Sequence, residues 1–211
     1  MPVYLHMKQI HFLNNSTMKS NLLLVLGTLL LWAPLVVAQD AETEVRALIT
    51  QRDQEIKAAV RGMKEDPALQ EVARSLINDQ IDFEEMGRLS LGRYYEDISE
   101  QQRQDFVEVF GEIVRSQSLG DLSVYEAPVT IESVVIKDNK ASVSTIAEIR
   151  GTDVEVLYQL HRKGDKWWLY DIIIDGVGTV EGYSVSFQTY VRKRGFDAFM
   201  QSLRKRLATT E

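Results

Sequence analysis

Polar and apolar residues alternate in two distinct rhythms along this chain, and the change between them divides it into a helical first half and a sheet. From Ala41 to Lys64 the residues Val45, Leu48, Ile49, Ile56, Ala59, Val60 and Met63 recur at spacings of three and four, which predicts an amphipathic helix. Asp66-Pro67 supplies an N-cap and a first-turn proline for a second helix through Leu69, Val72, Leu76 and Ile77. A third begins near Asp82 and carries Phe83, Met86, Leu89 and Leu91 up to Gly92. Ser99 and Gln102 form a capping box for a fourth, whose stripe is Phe106, Val109, Phe110, Ile113 and Val114.

After Gly120 the period becomes two. Val129 to Lys137 and Ala141 to Arg150 alternate around an Asp138-Asn139 turn, and Val154 to His161 and Lys166 to Ile174 alternate around Lys163-Gly164-Asp165. Short connections make these a four-stranded, or slightly larger, twisted antiparallel sheet. Val180, Tyr183, Phe187, Tyr190 and Val191 then return to helical spacing, which Phe196, Phe199, Leu203 and Leu207 continue past Gly195. Helices, strands and a C-terminal helix in that order predict a single α+β domain with helices packed on the sheet. The last strand is apolar on both sides: Trp168, Tyr170, Ile172 and Ile174 are read as one face, Trp167, Leu169 and Ile173 as the other. Such a strand needs cover on both faces, one of them by ordinary core and the other by more helices around an apolar cavity.

The chain's first 38 residues read differently. Leu22 to Ala38 is an apolar run after Lys19, interrupted by Pro34 and closed by Val36-Val37-Ala38, the pattern of a secretory signal peptide cut before Gln39. It is shorter than the roughly 20 apolar residues that span a bilayer. Met18-Lys19 resembles a signal start more than Met1 does, so residues 1–17 read as an over-extended start. Residues 39–211 then form the domain. Losing Lys8 and Lys19 takes the formal net charge from −7 to −9, which disfavours nucleic acid and anionic surfaces as general partners. The chain has no cysteine, hence no disulfides, no thiolate chemistry and no acyl anchor.

Catalytic chemistry is sparse. His161 is the only histidine after the leader and reads as solvated at the hairpin's polar edge. Gly176-Val177-Gly178 lacks the rest of a dinucleotide fingerprint and reads as a backbone bend. Asp171, within an apolar strand, is either a carboxylate satisfied by an arginine or backbone donors, or a general base of raised pKa. The basic runs Arg192-Lys193-Arg194 and Arg204-Lys205-Arg206 read as a solvated helix face, or as a patch for an acidic partner.

Several short motifs occur in a recognisable order: Asp82-Phe83 with Met86 and Leu91-Gly92; Ser99-Glu100-Gln101-Gln102-Arg103 before Phe106 and Phe110; Tyr158; and Trp167 through Tyr170-Asp171-Ile172, Asp175-Gly176-Val177, Tyr183 and Phe187. In these the chain resembles the MlaC, or toluene-tolerance, family of periplasmic phospholipid-binding proteins over nearly all of residues 39–211. It departs from the usual family pattern at Gly178, Thr179, Gly182 and Ser184. The resemblance implies a non-enzymatic carrier with no cofactor, holding phospholipid acyl chains as cargo in a deep apolar cavity. It further implies a periplasmic location and traffic between an inner-membrane MCE-domain transporter complex and an outer-membrane lipoprotein–porin complex, maintaining outer-membrane lipid asymmetry. Membranes would be met only through those partners. The residues expected to line the cavity are Phe106, Phe110, Val143, Ala147, Ile149, Val156, Tyr158, Trp168, Tyr170, Ile172, Ile174, Val177 and Phe187. Two other readings fit an apolar slot: an enzyme on a small substrate with Asp171 as base, and a chaperone for lipoproteins.

Overall fold

The computed structural model describes residues 33–120 and 122–209, with side chains described from Asp40 and without that of Ser123. Residues 1–32, which hold most of the expected signal segment, lie outside the described residues. The compact unit runs from Ala41 to the C-terminus. Its helices are α1 (Ala33–Gly62), α2 (Leu69–Asn78), α3 (Phe83–Leu91), α4 (Glu100–Gln117), the short α5 (Ser123–Glu126), α6 (Thr179–Arg194) and α7 (Phe196–Ala208). A 3₁₀ turn, Gly92–Tyr95, follows α3. No described helix is long and apolar enough to cross a membrane.

The strands are β1 (Val129–Lys137), β2 (Lys140–Ile149), β3 (Thr152–Lys163), β4 (Lys166–Ile174) and the two-residue β5 (Val177–Gly178). All pairings are antiparallel in the order β1-β2-β3-β4-β5, an open meander. The expected four strands are therefore extended by one short edge strand, and the α+β class holds.

Local chemistry explains most boundaries. Ser99 and Gln102 make both hydrogen bonds of the capping box that starts α4, and the Asp82 carboxylate accepts from the Glu85 N–H at 3.0 Å to start α3. Asp66 does not cap α2 directly. Its carboxylate accepts from Ala68 N at 2.9 Å within a turn, so the helix begins at Leu69. The C-terminal helical pattern is two helices instead of one, because Gly195 at φ 79° breaks it between α6 and α7.

The apolar side chains gather in three clusters. One is made almost wholly of helices: Phe83, Met86 and Leu91 of α3, Phe106, Phe110 and Ile113 of α4, Phe187 and Val191 of α6, and Phe199, Met200 and Leu203 of α7. A second joins Ala41 and Val45 of α1 to Ala141, Val143, Leu160 and Trp167 of the sheet. The third joins Ala59 and Val60 of α1 to Ala73 of α2, with Leu119, Leu122 and Tyr125 packed against them. Leu169 touches both the first and the second.

Candidate functional site

The sheet face toward α1 follows from the register, since residues opposite one another across a ladder share a face and alternate residues along a strand share it too. Val143 pairs with Tyr158, Thr145 with Val156 and Ala147 with Val154 across β2–β3. Across β3–β4, Val156 faces Ile174 and Tyr158 faces Ile172; across β4–β5, Ile174 faces Val177. The structure thus brings Val143, Ala147, Ile149, Val156, Tyr158, Ile172, Ile174 and Val177 onto one surface.

Trp168 and Tyr170 do not join them, and the single-face reading of β4 is corrected. The β3–β4 register shifts between Gln159 and Leu160, leaving Tyr170 as the surplus residue of a β-bulge. Beyond it Leu169 and Trp167 take over the α1 side, where both belong to the sheet–α1 cluster. Trp168 is paired with His161 on the other face, and the Tyr170 ring meets the His161 ring edge-on at 5.5 Å with the Lys140 ammonium over it at 5.8 Å. Phe106, Phe110 and Phe187 lie elsewhere again, inside the helical cluster. Phe106 stacks on Phe110 at 5.5 Å, and both meet Phe187 edge-on at 6.1 and 5.6 Å.

Along the α1-facing surface the packing is uneven. At the Leu160–Trp167 end the wall is closed by α1, and the Trp167 indole N–H donates to Glu44 at 3.2 Å. Toward the other end Val156 remains buried at 8% exposure, Ile172 is half-buried, and Ile174 and Val177 reach 49% and 69%. These two form an apolar corner open to solvent. Tyr158 stands between the sheet–α1 cluster and the α1–α2 cluster. Burial raises its hydroxyl pKa, as does the nearby Asp53 carboxylate, with Thr145 opposing. Tyr125, reaching from the third cluster, is pushed up to about 12 by burial with a smaller contribution from Tyr158, and its hydroxyl donates to the Ser118 carbonyl at 2.7 Å. Yet both tyrosines keep part of their surface within reach of water.

Asp171 has the satisfied role. Its carboxylate accepts from the Val180 N–H at 2.9 Å, capping α6 from the neighbouring strand. Burial raises its pKa, and the backbone donors of Val180, Ile172 and Thr179 only partly offset that. A raised folded pKa means the protonated form is favoured, so this group's contribution to stability falls as pH rises through the interval between its unfolded and folded values. Asp171→Asn keeps an acceptor and removes the buried charge. It is expected to melt no lower than the parent at pH 7, a thermal scan being the check.

His161 is not a free surface residue. Its Nε2 lies 3.0 Å from Asp82 Oδ2, and Lys163 Nζ reaches the same carboxylate at 3.4 Å and Glu84 at 3.1 Å. This cluster joins the β3 end to the start of α3 across 79 positions of sequence, which is why periodicity alone could not find it. No group of three or more metal-ligating side chains gathers among the described residues. Two clefts, of about 330 and 370 Å³, are lined mainly by polar side chains of α4, α6, α7 and the 3₁₀ turn, and neither includes a residue of the expected lining.

The family model for the MlaC protein matches residues 39–205. This chain belongs to the MlaC family. Among relatives of the family, the intermembrane phospholipid transport system binding protein MlaC of Haemophilus influenzae is 27% identical over 159 residues, 72% of this chain and 74% of that one. A phospholipid-binding protein of Ralstonia solanacearum, solved in complex with a phospholipid, shares the fold. Its TM-score is 0.67 at 22% identity, covering 78% of this chain and 97% of the other.

Proposed function

We propose that this MlaC-family chain is a non-enzymatic phospholipid carrier that holds acyl chains against the α1-facing surface of its sheet. The observation that carries the reading is the strip Ala147, Ile149, Val156, Tyr158, Ile172, Ile174 and Val177, apolar but for the hydroxyls of Tyr158 and of Thr145 beside it, which runs from the sheet–α1 cluster to an exposed corner. Val143 continues the strip inward, while Phe110 and Phe187, with Tyr183 packed on both rings, belong to the helical cluster. The names of the relatives support phospholipid as cargo and intermembrane transport as the task.

Each methylene withdrawn from water is worth roughly 0.8 kcal/mol, so a protein wall of this kind competes with a bilayer for an acyl chain. In this reading an acyl chain enters at the corner formed by Ile174 and Val177, where the strip is open to solvent.

The finer reading follows. The leader up to Ala38 is removed on export, residues 39–211 act in the periplasm, and lipid passes between an inner-membrane MCE-domain transporter complex and an outer-membrane lipoprotein–porin complex to keep the outer membrane asymmetric. Asp171 serves as a helix cap in this reading, which leaves the enzyme alternative without its base.

Val156→Glu and Ile172→Glu test the site. Each sets a carboxylate in the strip, where an unpaired charge is costly to cover with hydrocarbon. The expected result is a several-fold fall in phospholipid extracted from the purified, folded protein and quantified by mass spectrometry. Parental lipid content in both folded variants sinks the proposal, and recovery of acylated peptide instead of diacyl lipid favours a lipoprotein chaperone.

A further inference from the structure

On an acidic molecule, most arginines are expected to find carboxylates. Arg46, Arg52, Arg88, Arg103, Arg115 and Arg162 each do so. Among the described residues, Arg93 in the 3₁₀ turn and Arg192, Lys193 and Arg194 in the last turn of α6 belong to the minority of cations with no carboxylate within ion-pair distance, and they lie on neighbouring elements. The negative end of the helix dipole accounts for cations at that last turn. It does not account for Arg93, which comes from another element, nor for what lies between them.

Arg93 and Arg192 line one cleft of about 330 Å³ with Tyr94, Ser184, Val185 and Gln188. The cleft is held in shape. The Arg93 guanidinium lies over the Tyr94 ring at 4.9 Å and donates to the Tyr94 hydroxyl at 3.0 Å, which fixes its planar face. Gln188 donates to Ser184 Oγ at 2.8 Å and to the Ser90 carbonyl at 3.4 Å. Its amide sits 2.7 Å from where a Cβ on Gly92 would stand, so the left-handed glycine at φ 56° is what lets α6 and the turn approach. Val185 stands 68% exposed at this wall, a large apolar side chain with no cover.

Two guanidiniums, one on each element, with an uncovered valine beside them, fit a segment that carries carboxylates and one apolar side chain. We propose that this cleft is the docking site for an acidic segment of a protein partner, the one to which the carrier hands its phospholipid. The inference rests on the carrier reading. Charge decides for a protein over an anionic bilayer. The domain's net charge is −9 once Lys8 and Lys19 are gone from the −7 of the whole chain, and a flat anionic surface repels the whole molecule. A narrow acidic segment meets only the local basic cleft, with guanidinium–carboxylate pairing as the recognition.

The test uses the mature chain and the double variant Arg93→Glu/Arg192→Glu, with Lys137→Glu/Lys166→Glu as a charge-matched control on the sheet. The probes are the purified MCE-domain transporter complex, the purified lipoprotein–porin complex, and phosphatidylethanolamine vesicles containing phosphatidylglycerol. The expected result is a fall of about tenfold or more in association rate with at least one complex, with a flatter salt dependence and an unchanged control. Parental rates with both complexes overturn the proposal, as does an effect confined to the vesicles. Phospholipid per folded molecule is measured alongside. If the parent protein carries none, the carrier reading fails; if the double variant keeps its lipid but loses association, docking is separated from binding.

Discussion

Phe106→Ala is expected to lower the unfolding free energy by about 3–5 kcal/mol, the largest effect of any single truncation in the domain. Phe106 is fully buried and makes ring contacts with Phe110, Phe187 and Phe199, so alanine removes both the transfer free energy of the ring and the edge-to-face geometry of its neighbours. The surrounding helices relax only partly, since Gly87 is already so close that a Cβ there would sit 2.9 Å from the Phe106 ring. Against a total stability on the order of 5–15 kcal/mol, this is a large share. Urea denaturation followed by circular dichroism measures it. A loss below about 1 kcal/mol would show that the helical cluster is not the main source of stability.

Asp82→Ala ranks second, at about 2–4 kcal/mol, because it removes a helix cap and the nearly buried carboxylate that His161 Nε2 and Lys163 Nζ share. The carboxylate is 7% exposed, starts α3 through the Glu85 N–H, and is shared by His161 and Lys163 from β3. Burial pushes its pKa up, but the Glu85 N–H, Lys163 and His161 together outweigh burial and hold it below the usual carboxylate value. A depressed folded pKa means that the stabilisation is complete above the unfolded value near 3.9 and disappears as pH falls through the folded value below it. The difference in melting temperature between parent and Asp82→Ala is therefore expected to be full at pH 6 and to shrink below pH 4. A difference that stays constant across that range would mean that the charge on Asp82 contributes nothing.

These two residues also mark what the sequence allowed and where it stopped. Phe106 was legible as core, because helical spacing places it with Phe110, and the limits of β1 and β4 came directly from alternation. The capping box at Ser99 was equally plain, since its two hydrogen bonds are local. The Asp82–His161 pairing was not, being tertiary. Tyr170 misled the reading of β4: a surplus residue leaves the alternation visible in letters but inverts its meaning in space, moving Trp168 to the opposite face from Ile172. At the site, the strand residues that share a face came out together apart from that inversion. The assignment of Phe106, Phe110 and Phe187 to the same wall ran through family resemblance, and the helices place those rings in a layer of their own.

The open meander also leaves β1 as a rim with no neighbouring strand in the sheet. Bare rims of this length invite edge-to-edge growth into fibrils, and Val135 on this one is exposed. The rim is spoiled for that purpose by its own chain: Glu132 is extruded as an extra residue between Ile131 and Ser133, and Lys137 closes the strand with a second charge. At high concentration copies of this chain are therefore kept from fusing sheet to sheet along that rim.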